Sequence, residues 1–270
     1  MRNWKDNISF VLVEPKKHGN IGASARAMKN MGFKHLCFVR PPHILTEEAG
    51  WYAHNSLEML EKAERYDTVR DAVAQKNLVV GVARRVGKKR GLVLPVDEGA
   101  GKILEFSEGS NNKVALLFGR EDRGLYNSEV DECGFVMTIP SNREHPSLNL
   151  SHAVMVVAYE LSMSGRRQHG KHEPCMDASM NSTDKKPVTH GELTSLYERA
   201  AEVLTLLDYL PRGDRDIRQH IMSNIKHFLG RAGLTDWELK MLHGICSQIE
   251  RKVKGNADIC LKEIKLETNK

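Results

Sequence analysis

Five short apolar segments, each ended by polar residues or proline, constrain the fold of the first part of this chain most strongly. The segments are 8–14, 36–39, 78–82, 114–118 and 135–139. Between them lie stretches with helical features, among them 55–66, 69–74 and a segment near Ile103. Strands that alternate with helices are typical of a sheet whose strands run mostly parallel. Residues 1–163 are therefore predicted to form an α/β domain, with the strand order left open.

The segment 135–161 combines a strand, a polar loop and a helix. Ser147 or Asn149 can cap the helix, because side chains of this type accept hydrogen bonds from the first helical N–H groups. The helix carries an apolar stripe, made by Leu150, Ala153, Val154, Val157 and Leu161. A strand end next to a helix N-terminus is also a place where a ligand can meet backbone N–H groups.

The composition changes after the α/β region. Residues 165–188 are polar, charged and without periodicity, which predicts a linker. Residues 189–256 carry three amphipathic helical patterns, and two of them open with the capping boxes Thr189/Glu192 and Thr235/Glu238. The predicted domains are therefore an α/β domain at 1–164, a helical domain at 189–256 and a charged tail at 257–270.

Composition and motifs exclude several classes of protein. The net charge of +5 permits an anionic partner, and five cysteines without a CxxC pair indicate a reducing compartment such as the cytoplasm. An apolar leader and a run long enough to span a membrane are both missing. GxGxxG, P-loop and GxSxG motifs are absent, and the His169, His172 and Cys175 run lies in the predicted linker without a fourth zinc ligand. We expect no metal and no membrane partner.

Polar residues follow four of the predicted strands. Ligands of parallel sheets bind outside the carboxyl ends of the strands, so these residues are candidates for one site. Five cations close together after segment 78–82 favour an anion such as a phosphate backbone. The polar residues are Asn20, Arg26, Glu121, Ser147 and Asn149, and the cations are Arg84, Arg85, Lys88, Lys89 and Arg90. Each feature also has an ordinary structural reading as a salt bridge, a turn glycine or a solvated loop.

Three motifs at these strand ends resemble those of a known family. NIGASARAM, LLFGREDRGL and IPSNREHPSLNLSHAVMVVAYEL are similar, in the same order, to the three motifs of the SPOUT-class RNA ribose 2′-O-methyltransferases in their TrmH/TrmJ branch. The resemblance covers roughly residues 8–163. The helical tail is similar to the C-terminal extension of the TrmJ group, which methylates the ribose of nucleotide thirty-two in the tRNA anticodon loop.

The resemblance implies features of the fold that the periodicity of the sequence cannot predict. In this family the third-motif segment threads through a loop to form a trefoil knot, and two subunits pair there, each completing the active site of the other. The expected fold is thus a SPOUT-type parallel sheet with a C-terminal trefoil knot, followed by a small helical domain, in a cytoplasmic homodimer. The implied S-adenosylmethionine contacts are Val82, Ala83, Arg84, Gly119, Ile139, Pro146, Ser147 and Leu148.

The resemblance also implies the reaction, a methyl transfer to a ribose 2′-hydroxyl of tRNA. The implied catalytic residues are Asn20, Arg26, Glu121, Ser147 and Asn149. A guanidinium stays protonated, so we interpret Arg26 as a clamp on the neighbouring phosphate and not as a base. Arg120 and Arg123 are expected to hold RNA together with the cations of residues 84–90. Two alternatives remain open, a ribosomal RNA 2′-O-methyltransferase and an RNA-binding protein that has lost catalysis.

Overall fold

The fold is an α/β sheet followed by packed helices. The computed structural model describes residues 4–84, 91–108, 112–142, 144, 147–169, 187–210 and 215–267. The strands in these ranges are β1 (Ile8–Val13), β2 (His35–Val39), β3 (Glu64–Tyr66), β4 (Leu78–Val82), β5 (Val93–Pro95), β6 (Val114–Phe118) and β7 (Phe135–Thr138). The helices are α1 (His18–Asn30), α2 (Glu47–Ala53), α3 (Leu57–Glu61), α4 (Val69–Val73), α5 (Val96–Ser107), α6 (Asn127–Val130), α7 (Leu150–His169), α8 (His190–Leu206), α9 (Arg215–Ala232) and α10 (Asp236–Glu267).

The strands form one sheet in the order β3-β2-β1-β6-β4-β7-β5, and every pairing is parallel. Both faces of the sheet are buried, which explains why the strands read as continuous apolar runs. Phe10 and Leu12 belong to the apolar cluster on one face, and Val11 and Val13 belong to the cluster on the other. The predicted parallel α/β architecture is confirmed.

Helix α1 packs unusually close to α2. A Cβ atom added to Gly22 would lie 2.1 Å from the backbone oxygen of Ala49. The missing side chain at Gly22 is therefore what allows the backbones of α1 and α2 to approach each other. Gly32 follows the end of α1 with φ +77°, a conformation that glycine adopts without strain.

The last three helices pack on each other and against the sheet. Thr189 and Glu192 make the predicted capping box at the start of α8. The side-chain amide of Asn77, just before β4, donates to the backbone oxygens of Pro187 and Val188 at 2.9 and 3.1 Å. These bonds fix the start of the helical part to the amino end of the sheet.

A buried carboxylate on the segment before β7 also joins the two parts. Glu132 lies 2.7 Å from His190 Nε2 and 3.1 Å from Lys226 Nζ. Burial alone would raise the pKa of Glu132, but the contacts with His190 and Lys226 outweigh it and lower the pKa to about 2. The helical part is therefore docked through a charged contact that needs an ionised Glu132.

Four local expectations differ from the structure. The helix predicted over 55–66 ends early, because Glu64–Tyr66 pair with β2 as an edge strand. Strand β5 was not predicted. Helix α7 continues to His169, five residues into the predicted linker, and α10 continues to Glu267, through most of the predicted tail. None of the helices among the described residues combines the length and apolar character needed to cross a membrane.

Candidate active site

The predicted site residues meet at the carboxyl edge of the sheet. Strands β4, β6 and β7 end there and enclose a cavity of about 450 Å³, which we name the strand-end cavity. It contains most of the residues expected to contact a cofactor. These are Val82, Ala83, Arg84, Gly119, Ile139 and Leu148. Pro146 lies outside the described residues, and Ser147 is exposed and is not part of this lining.

The wall of the strand-end cavity next to β6 is a tight loop, Gly119 to Gly124. Arg120 N donates to Gly124 O at 3.2 Å, and Gly124 N donates back to Arg120 O at 2.8 Å. A Cβ atom on Gly119 would lie 2.1 Å from the carbonyl carbon of Gly124, so this close approach requires glycine. The sequence GREDRG therefore forms a compact hairpin that presents Glu121 toward α1.

Arg120 holds this loop from inside. Its guanidinium donates to both carboxylate oxygens of Glu129, at 3.0 and 2.9 Å, and to Glu14 at 2.6 Å, and it lies 3.9 Å from the centre of the Tyr126 ring. Burial alone would lower the pKa of Arg120, but the two carboxylates raise it above its ordinary value. Arg120 was predicted to bind RNA. That prediction is wrong in this structure, because only 1% of its side chain is exposed and four of its five N–H donors already have partners.

Glu121 organises the start of α1. Its carboxylate accepts hydrogen bonds from the backbone N–H groups of Lys16 and Lys17, at 2.9 and 3.1 Å, and from the amide of Asn20 at 2.9 Å. Burial alone would raise the pKa of Glu121, but these hydrogen bonds hold it below its ordinary value. Glu121 thus remains an ionised acceptor. The catalytic candidate that Glu121 orients directly is Asn20.

The hydrogen bonds continue from Asn20 to α7. Asn20 Oδ1 accepts from Asn149 Nδ2 at 2.9 Å, and Asn149 Oδ1 accepts from Ser151 N at 2.8 Å and from Ser151 Oγ at 2.7 Å. Asn149 is therefore the residue that caps α7, one of the two predicted candidates. The chain Glu121–Asn20–Asn149–Ser151, which we name the amide relay, joins the motifs after β1, β6 and β7 and fixes the orientation of both amides.

Arg26 lies on the other side of the amide relay from the strand-end cavity. It lines a second, more open cavity of about 620 Å³ between α1, α2 and α7, together with Asn20 and Asn149. We name this the arginine cavity. Arg26 is exposed, and within the described ranges it makes no ion pair. Its guanidinium therefore keeps its donors for a ligand.

Sequence reasoning missed two residues that line the arginine cavity, Tyr52 and His152. His152 lies within the third motif, so its position was a usable signal. Tyr52 lies on α2, a helix that the sequence did not predict, and the residue is 54% exposed. An exposed ring next to Arg26 is a surface on which a nucleobase can stack.

The predicted RNA-binding residues divide into three groups. Arg84 and Arg123 are exposed and line the strand-end cavity, so they can meet a phosphate there. Arg120 is internal, as described above. Arg85, Lys88, Lys89 and Arg90 lie outside the described residues.

Comparison with known proteins identifies the family to which the chain belongs. The model of the SpoU rRNA Methylase family matches residues 7–159. The tRNA (cytidine/uridine/adenosine-2′-O-)-methyltransferase TrmJ of Pseudomonas aeruginosa is 35% identical over 253 residues, which is 93% of this chain and 96% of that protein. The tRNA (cytidine/uridine-2′-O-)-methyltransferase TrmJ of Sodalis glossinidius is 33% identical, over 92% of this chain and 93% of that one.

A solved structure supports the same assignment. The crystal structure of TrmJ from Z. mobilis ZM4 aligns with a TM-score of 0.71 at 28% identity, covering 90% of this chain and 98% of that chain. The likeness thus includes the helical part as well as the sheet. The expected resemblance to TrmJ-like SPOUT methyltransferases is confirmed, and the chain belongs to the SpoU methylase family.

Proposed function

We propose that this protein transfers a methyl group from S-adenosylmethionine to a ribose 2′-hydroxyl of tRNA. The observation that carries the proposal is the amide relay, which fixes the strand-end cavity and the arginine cavity next to each other. One cavity is mostly apolar and suits a cofactor, and the other presents a free guanidinium and suits a nucleotide. Relatives that match almost the full length of the chain are named as tRNA 2′-O-methyltransferases.

The strand-end cavity fits S-adenosylmethionine in size and in chemistry. A cavity of about 450 Å³ is within the ordinary range for small-molecule sites. Ile139, Leu148 and Leu125 supply apolar surface for an adenine ring, and the backbone of Ala83 and Gly119 supplies polar groups. When bound, the cofactor supplies a methyl group already activated on a sulfonium.

Arg26 acts on the acceptor nucleotide. A guanidinium binds a phosphate with two parallel hydrogen bonds and remains protonated, so Arg26 positions the ribose and its positive charge favours loss of the 2′-hydroxyl proton. Glu121 is a poor proton acceptor because its pKa is lowered and its oxygens already accept hydrogen bonds. The proton therefore leaves to water or to a phosphate oxygen. Glu121 and Asn20 do not take it up, and they maintain the hydrogen bonds of the amide relay.

The substrate we propose is the anticodon loop, with cytidine or uridine at nucleotide thirty-two. The curated relatives differ in the bases they accept, since the name of the Pseudomonas aeruginosa protein also includes adenosine. Arg84 and Arg123 line the strand-end cavity and would neutralise backbone phosphates near its opening. We propose the same kind of partner for the cations of residues 85–90, which lie outside the described residues.

The knot, the dimer and the domain boundary belong to the same proposal. We propose that the segment between β7 and α7 is threaded into a trefoil knot, which is supported by the position of β7 between β4 and β5. We further propose a cytoplasmic homodimer in which the two subunits pair at the knotted segment. Exposed residues of α2 and α7 would then meet the partner subunit. The α/β domain would then end after His169, with the linker starting there instead of at residue 165.

Tritium transfer from labelled S-adenosylmethionine tests the reaction and the substrate together. Unmodified tRNA and ribosomal RNA are incubated separately with the full chain, and the products are digested to nucleosides. We expect label in tRNA as 2′-O-methylcytidine or 2′-O-methyluridine. Label only in ribosomal RNA would support the substrate in the family description instead, and cofactor binding without transfer to either RNA would contradict the proposed substrate class.

Arg26→Ala tests the role assigned to the guanidinium. We expect turnover to fall by about a hundredfold or more, while the cofactor still binds, because positioning of the ribose is lost. Arg65→Ala removes another exposed arginine, on the edge strand β3, and should leave turnover unchanged. An Arg26→Ala enzyme with near-normal turnover would refute the mechanism.

A further inference from the structure

A separate cavity opens at the opposite edge of the sheet. It has a volume of about 650 Å³ and lies at the amino ends of the strands. Ser9 is the second residue of β1, Lys113 directly precedes β6, and Lys76 lies two residues before β4. Because all strands are parallel, this amino-edge cavity is separated from the strand-end cavity by the full length of the strands.

Lys76 is the central polar group of the amino-edge cavity. Its side chain is half-buried, and its ammonium donates to Ser9 Oγ at 2.8 Å. This is the one hydrogen bond of the ammonium to any described residue, although an ammonium has three donors. Burial lowers the pKa of Lys76, the charges of Cys37 and Glu64 offset part of this effect, and the charge of Lys113 lowers the pKa further. Lys76 is thus a partly desolvated cation with two donors left over.

The other charged groups of the amino-edge cavity do not neutralise it. Five lysines line it against three carboxylates. Two of these carboxylates are already paired, Asp6 with Lys34 at 3.2 Å and Glu58 with Lys62 at 2.6 Å. The cavity keeps an excess of positive charge.

The third carboxylate, Glu64, is the only competitor that remains for Lys76 among the described residues lining the cavity. Glu64 Oε2 accepts from the hydroxyl of Tyr66 at 2.6 Å and from the thiol of Cys37 at 3.8 Å. No ion pair within 4.0 Å forms between Glu64 and Lys76 in the described structure. Lys76 and Lys113 therefore line the cavity without an ion-pair partner among the described residues.

We propose that the amino-edge cavity binds a phosphate group, held by the ammonium groups of Lys76 and Lys113 and by the hydroxyl of Ser9. Two cations and a hydroxyl converging on a concave site match the charge and the acceptor oxygens of a phosphate. The phosphate comes from a small phosphorylated metabolite or from the backbone of bound RNA. In either case the site is independent of the methyl-transfer site.

Calorimetric titration of the full chain with inorganic phosphate and with ribose 5-phosphate tests the site directly. A sugar phosphate is used because it has no adenine to enter the strand-end cavity. We expect one binding event per chain at low ionic strength. Lys76→Met should weaken it by about tenfold, the effect of losing one charge-assisted hydrogen bond.

Two further variants keep the test decisive. Lys113→Met changes an exposed side chain, so it should fold normally and still weaken binding by about threefold or more. Lys102→Met removes an exposed lysine of α5 that does not line the amino-edge cavity, and it should leave binding unchanged. Thermal melting of each variant checks that the fold is intact.

Titration with tRNA distinguishes the two sources of phosphate. Binding of the small phosphates, weakened by Lys76→Met and Lys113→Met, supports a metabolite site. Weaker tRNA binding in these two variants but not in Lys102→Met, without binding of small phosphates, supports a backbone site. If neither ligand responds to Lys76→Met and Lys113→Met, the proposal is overturned.

Discussion

Replacing Arg120 separates an internal structural role from an RNA-binding role. The side chain is 1% exposed and pairs with Glu129, which is 8% exposed, and with Glu14, which is 30% exposed. Arg120→Met would leave Glu129 without its cation in a poorly solvated position, while Glu14 would keep its ion pair with Arg40. Breaking a buried ion pair from one side costs about 3–5 kcal/mol. For a chain of this size that corresponds to a decrease in melting temperature of roughly 10 °C.

The assay is thermal and urea unfolding at neutral pH, with Arg123→Met as the matched control. Arg123 comes from the same loop, but its side chain is 70% exposed, so its loss should change stability by no more than about 0.5 kcal/mol. The double variant Arg120→Met, Glu129→Gln should recover part of the loss, since the uncompensated charge of Glu129 is gone.

The opposite pattern would refute this reasoning. If Arg120→Met melts like Arg123→Met but binds RNA more weakly, with a salt dependence reduced by about one phosphate contact, Arg120 contacts RNA. The internal network would then not be the reason for arginine at this position.

Three further predictions concern packing, acid stability and thiol reactivity. Gly22→Ala should destabilise the protein by about 1–3 kcal/mol in urea unfolding, because the new Cβ would meet the backbone of Ala49 at 2.1 Å, whereas Gly50→Ala, with open space around it, should be neutral or stabilising. Glu132 ionises with a pKa lowered to about 2, so its contribution of about 3 kcal/mol is present above the ordinary pKa of 4.5 and is lost as pH falls from there toward 2. Glu132→Gln should therefore flatten the acid limb of a stability-against-pH curve, and an unchanged limb would contradict the docking contact. Burial raises the pKa of the Cys37 thiol to about 11, so iodoacetamide should modify it only on unfolding, and rapid labelling at Cys37 itself in the native protein, located by peptide mapping, would contradict its burial.

The sequence predicted what depends on local pattern. The parallel strands could be read because strands buried on both faces are continuous apolar runs, and the helix caps at Thr189 and Asn149 could be read because their side chains act within three residues. The short strands β3 and β5 could not be read in this way. Three residues carry too little pattern, and their strand conformation comes from pairing with β2 and β7.

The sequence predicted which residues form the candidate site better than it predicted the hydrogen bonds between them. The motifs gave the positions of Asn20 and Glu121, but the hydrogen bond between them joins residues far apart in sequence. The error at Arg120 has a related cause. A basic residue in a polar loop reads as exposed, and only the fold brings Glu14 and Glu129 to both sides of it.

Methyl transfer to a tRNA transcript that lacks one hydroxyl tests the central claim most directly. Two unmodified transcripts of the same tRNA are compared, one fully ribose and one with a 2′-deoxy residue at nucleotide thirty-two only. We predict that the full chain transfers one tritiated methyl group to the ribose transcript and none to the deoxy transcript. Equal labelling of both transcripts would contradict the assignment of that 2′-hydroxyl as the acceptor, and no labelling of either would contradict tRNA methylation itself.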